Sequence, residues 1–80
     1  MLATGLQIRA ARAALKWSAK DMSEKAGVGL NTIGKIEKVE GLANVHVSNI
    51  QAVTDTLLST GRVRFEGDDG VFVVGNADAK

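Results

Sequence analysis

The chain contains no cysteine, no tyrosine and a single histidine, His46. Without thiols there is neither a disulfide framework nor a thiolate metal site, and His46 has no second imidazole with which to share an ion. Catalysis is equally ill served. A lone His46 with neither Cys nor Tyr leaves no plausible nucleophile–base pair, Asp68-Asp69 lies between glycines as a turn rather than as paired carboxylates, and the glycines match no phosphate-cradling loop. We therefore expect no enzyme activity, no cofactor and no metal. No apolar run approaches the ~18 residues of a membrane span. Arg9 and Arg12 interrupt the one stretch that could pass for the core of a signal peptide. A soluble, cytoplasmic chain with no membrane partner is expected, and it has no internal repeat or low-complexity segment.

What is present suits one small domain spanning residues 1–80. The chain has 80 residues with 45% hydrophobic content, and splitting it would leave neither half a core. The net charge of +1 conceals a division. Residues 1–38 carry seven Lys/Arg against three Asp/Glu, whereas residues 39–80 carry three against six. A basic N-terminal half suits a surface that faces phosphate; scattered lysines on an ordinary solvated face would look the same.

The centre of organisation is the stretch from Trp17 to Glu40. Ser18-x-x-Asp21 is a near match to the capping box and opens one short helix, over about residues 19–25. Met22 and Ala26 repeat at one-turn spacing, and Gly27 then Val28 follow where a left-handed C-cap belongs. A second helix, over about 30–38, opens after Gly29. Ile33 and Ile36 point inward there, and Asn31, Thr32, Lys35 and Lys38 fall on other faces. Two helices joined by a short glycine turn form a helix-turn-helix unit, whose second helix can enter the DNA major groove.

On either side the patterns continue. Thr4-x-x-Gln7 is a capping box for a first helix, with Leu6 just inside. Ile8, Ala11, Ala14 and Leu15 form its inner face, and Gln7, Arg9, Arg12 and Lys16 lie largely outside it. Trp17, the sole Trp, fits packing under the corner better than contact with DNA. Glu40 to Asn44 reads as a loop. The next helix starts near Asn44 or at Ser48, where Ser48-x-x-Gln51 repeats the box pattern. Val47, Ile50, Val53, Leu57 and Leu58 form its stripe and Gly61 its stop. His46 fits a place at the start of that helix or facing phosphate. The tail changes to period two: Arg62 to Glu66 alternates, Gly67 to Gly70 has turn chemistry, and Val71 to Val74 is β-branched and aromatic. A lone hairpin is marginal in water. Residues 62–74 are thus expected to serve dimerisation, through Val63, Phe65, Val71, Phe72, Val73 and Val74, or else only to cover the helical core. Residues 75–80 are expected to form a flexible tail.

Together Ile8-Arg9, Leu15, Trp17-Ser18, Met22, Ala26-Gly27-Val28, Thr32-Ile33 and Ile36-Glu37 make residues 7–40 resemble the XRE, or lambda-repressor/Cro-like, helix-turn-helix family of bacterial and phage regulators. The resemblance extends over about residues 4–60. It implies a mainly α fold of four, at most five, helices, here followed by the β-hairpin. It implies a sequence-specific DNA-binding transcriptional regulator, a repressor by the simplest guess, acting as a homodimer on double-stranded DNA at the nucleoid. Base readout then falls on Gly29, Leu30, Asn31 and Lys35. Phosphate contacts fall on Ser18, Ala19, Lys20, Thr32 and Lys38, and an internal ion pair is expected between Arg9 and Glu37, in preference to Arg9 facing phosphate. The chain departs from the family in two places. Ala19 stands where the family often has a phosphate-bonding Gln, and Gly29-Leu30 where Ser or Arg is common. These departures keep a second reading open, a helix-turn-helix fold retained for contacts with another protein, antitoxin-like or anti-regulator. Gly34 lowers helix propensity, either because something approaches closely there or because it is tolerated.

Overall fold

A computed structural model of the chain describes residues 2–38 and 45–74. Four helices come first: α1 (Gly5–Ala14), α2 (Ala19–Ala26), α3 (Leu30–Glu37) and α4 (Val47–Ser59). An antiparallel hairpin of β1 (Val63–Glu66) and β2 (Gly70–Val73) follows. The fold is mainly helical with a C-terminal two-stranded hairpin, as expected. The anticipated loop at 40–44 and tail at 75–80 lie outside the described residues. No helix among the described residues is long and apolar enough to cross a membrane.

Local chemistry sets the helix ends. At α1, Gln7 N–H donates to Thr4 Oγ1 (3.2 Å) and Thr4 N–H to Gln7 Oε1 (2.9 Å). At α2 the same reciprocal pair forms between Ser18 and Asp21, both bonds 2.9 Å. Each box satisfies two amides that a helix start leaves without partners. Gly27 takes φ 69°, the left-handed conformation expected of it, and its N–H and that of Val28 both donate to Ser23 O. Lys16 also has a positive φ, 63°, in the α1–α2 corner, a conformation that costs a residue with a Cβ about 1–2 kcal/mol. α4 begins at Val47 behind His46, between the two expected starts. The Ser48–Gln51 box does not form; Gln51 instead donates to Asp55 (2.7 Å).

The core is built by Ile8, Met22, Ile33, Ile36, Val53 and Leu57, all fully buried. Each contributes on the order of 1.5–3 kcal/mol through removal from water. The hairpin joins this core. Its register pairs Val63 with Val73 and Phe65 with Val71, so the period of two turns Val63 and Phe65 inward, each 8% exposed. It packs chiefly on α1 and α4.

Three expectations about faces are corrected. Ala14 is exposed, and Val47 is 63% exposed because it lies in the first turn of α4, ahead of the packed stretch. Gln7, expected outside, is fully buried. Its side-chain amide donates to Gly67 O and Gly70 O, each 2.9 Å, and lies 3.4 Å from Glu66 O. Thr4 Oγ1 donates to Asp68 O (2.9 Å), so one capping box both opens α1 and holds the hairpin turn. Gln7→Glu keeps the capping acceptor but sets a carboxylate against three carbonyls. It should cost at least about 2 kcal/mol at pH 7. Burial raises the pKa of that new carboxyl, so the loss should shrink as pH falls through the carboxylate range, where protonation restores a donor. Urea unfolding at pH 7 and pH 4 checks both statements.

Candidate nucleic-acid interface

The helix-turn-helix unit is α2, the Gly27–Gly29 turn and α3, with α2 packed on α3. In α3 the 3.6-residue period sinks Ile33 and Ile36 completely and leaves Gly29, Leu30, Asn31 and Lys35 exposed, Leu30 at 51%. The four base-reading candidates are thus accessible, Gly29, Leu30 and Asn31 at the start of the helix and Lys35 one turn beyond Asn31. Among the phosphate candidates Ser18, Lys20 and Lys38 are exposed, while Ala19 and Thr32 are half-buried. Trp17 is half-buried under the α1–α2 corner, with Lys25 Nζ 5.0 Å above its ring.

Electrostatics at the two helix starts differ. The first amides of α2, at Ala19 and Lys20, are of the kind that bind anions. The Asp21 carboxylate stands among them, held ionised below its usual pKa by the bond from Ser18 N–H, with help from the Ser18 hydroxyl and from Lys25 and Lys20. A phosphate arriving here meets that negative charge as well as the lysines. The start of α3 has no side-chain cap, because Gly29 supplies none.

The other end of α3 is clamped. Arg12 Nε and Nη2 donate to the two carboxylate oxygens of Glu37 at 2.7 and 3.0 Å, and Arg12 Nη1 donates to Trp17 O at 2.8 Å. The expected Arg9–Glu37 pair is therefore corrected: Arg9 is exposed and Arg12 holds Glu37. Helical geometry explains this. At about 100° per residue Arg12 lies roughly 40° from Ile8 around α1, and Arg9 about 100°. Carboxylate contact raises the Arg12 pKa further, so the guanidinium stays charged. Gly5, which no sequence signal marked, lies against the Ile36 carbonyl so closely that a Cβ there would collide with backbone. Gly34 differs, since a Cβ there meets nothing within 4 Å. A hollow of about 350 Å³ lies elsewhere, on the hairpin beside Arg64, Phe72 and Val74.

Two outcomes follow. Arg12→Met strands Glu37 at a site only 11% exposed and should cost about 2–3 kcal/mol, whereas Arg9→Met should cost under about 0.5 kcal/mol. Gly34→Ala should stabilise by about 0.5–1 kcal/mol, the helix-propensity difference, with no packing penalty. Thermal and urea unfolding of the three variants measure both.

Comparison with known proteins agrees with this geometry. Searches of curated proteins and of solved structures return no significant match. A family model described as helix-turn-helix matches residues 8–55, from the second turn of α1 into α4. The chain belongs to the helix-turn-helix family of XRE, or Cro/C1-type, DNA-binding regulators.

Proposed function

We propose that residues 1–80 work as one domain, a sequence-specific transcriptional regulator that binds its operator as a homodimer with α3 in the major groove. The observation that carries this reading is the division of α3. Ile33 and Ile36 are sealed in the core, and Gly29, Leu30, Asn31 and Lys35 are presented outward on a helix whose far end is clamped by Arg12. Asn31 can bond adenine N6 and N7 together, Lys35 can reach guanine O6 and N7 or a phosphate, and Leu30 can cover a thymine methyl. Ser18, Lys20 and Lys38, with the amides at Ala19 and the hydroxyl of Thr32, are the phosphate-facing groups. Two such units on a near-palindromic site would read half-sites about 34 Å apart. Repression by occlusion of polymerase, in the cytoplasm at the nucleoid, is the simplest outcome of operator binding.

A second reading is a module that contacts another protein through the same face. Leu30, 51% exposed, and the Asp21 carboxylate at the start of α2 favour it. Selection of bound duplexes from a random library separates the two, using the natural chain and the Asn31→Ala, Lys35→Ala double variant. An enriched two-fold-symmetric motif that the double variant loses is the expected result. Absence of enrichment, with weak salt-sensitive binding shared by both proteins, would overturn specific readout by α3 and turn attention to a protein partner.

A further inference from the structure

The register of the hairpin fixes which backbone groups face away from it. Val74 N–H donates to Arg62 O (2.8 Å), and the register pairs Arg64 with Phe72. Antiparallel ladders alternate, so the backbone groups of residues 62, 64, 72 and 74 point into the hairpin. Those of Val63, Phe65, Val71 and Val73 point out of it. On the β1 side the outward groups belong to Val63 and Phe65, each only 8% exposed. On the β2 side they belong to Val71 and Val73, which are half-buried and have no backbone partner among the described residues. The segment from Val71 to Val74 has neither a charge nor a proline to discourage pairing. Its outer face shows Phe72, 50% exposed, and Val74, 58% exposed.

We propose that the free edge of β2 pairs antiparallel with β2 of a second copy, about a two-fold axis at Phe72, joining two hairpins into one four-stranded sheet. This deepens the homodimer reading above by naming its interface. In this register Val71 of each copy exchanges two hydrogen bonds with Val73 of the other, which satisfies every outward group of both strands. The two Phe72 rings meet beside the axis, and each remains stacked by its own Arg64, whose guanidinium carbon lies 4.7 Å from the ring centroid. Val74 falls opposite Gly70 of the other copy, where no side chain competes for space.

A second copy fits this edge better than an unrelated strand. The charged groups of the outer face, Arg62, Arg64 and Glu66, all lie on the β1 side, one strand away from the axis, so two-fold pairing of β2 sets no charge directly opposite a like charge. The pairing also closes on itself. Once the β2 edges are joined, the edges left outermost are those of Val63 and Phe65, already covered within each copy, so a dimer forms rather than a fibre.

Because the chain has no cysteine, the axis can be probed by a single thiol. Directly opposed residues in a non-hydrogen-bonded pair have Cα atoms about 4.5 Å apart, within disulfide range. Phe72→Cys should therefore cross-link to a covalent dimer under mild oxidation, while Val74→Cys and the exposed control Val47→Cys stay monomeric on non-reducing gels. Val73→Pro, which removes an N–H the hairpin itself does not use, should weaken dimerisation at least about tenfold in sedimentation, which corresponds to about 1.4 kcal/mol, and leave the helical circular dichroism unchanged. A natural chain that sediments as a monomer at about 100 µM would overturn the proposal. So would a dimer that survives Val73→Pro, or cross-linking through Val74→Cys in place of Phe72→Cys. All of these are read without DNA. An intact hairpin dimer that selects no duplex would defeat the regulator reading alone, and a DNA-selecting dimer indifferent to these variants would defeat only this interface.

Discussion

The close approach of α1 to the C-terminal end of α3 is the constraint on which the rest of this molecule depends. Gly5 sits on the Ile36 carbonyl, and about two turns further along Arg12 grips Glu37 with two parallel bonds and the α1–α2 corner with a third. A glycine removes the distance between the helices, and a planar guanidinium then fixes their relative orientation. With the end of α3 held in this way, its first half can be left on the surface without losing its direction. The pair is partly buried, so its worth lies more in orientation than in net stabilisation.

The hairpin depends on α1 in a similar way. Two strands of four residues cannot hold themselves together in water. Here Gln7 and Thr4 tie the turn by its carbonyls, while Val63 and Phe65 extend the core laid down by α1 and α4. This corrects part of the expectation that all the apolar strand residues are available for a partner. Val63 and Phe65 are consumed within the chain, and Phe72 and Val74 remain on the outside. Covering of the core is thus the work of one face of the hairpin, and the other face stays exposed, as the period of two allows.

Features that could be read in advance share a physical origin, since each depends on residues within one turn of each other. Both capping boxes at Thr4 and Ser18, the left-handed Gly27 and the alternation that seats Val63 and Phe65 are of this kind. So is the outward display of Gly29, Leu30, Asn31 and Lys35, because Ile33 and Ile36 had to face the core. Gln7 and Arg12 were misread because each lies at the margin of the α1 apolar stripe. Whether a marginal polar residue is solvated or buried depends on what arrives beside it. For Gln7 that is the turn some 60 residues away, and for Arg12 it is Glu37. Val47 was misjudged because a stripe drawn through a helix does not reveal where its neighbours end.

The amino-acid order alone determined the element types, the helix ends at Thr4, Ser18 and Gly27, the apolar faces and the helix-turn-helix unit, because periodicity and capping are settled by near neighbours. Tertiary structure decided which arginine meets Glu37, why Gly5 must lack a side chain, what the buried Gln7 amide is for, and which edge of the hairpin is buried. Each of those outcomes is set by groups distant in the chain meeting in space, where desolvation and excluded volume, rather than local propensity, choose between alternatives that look equivalent along the chain.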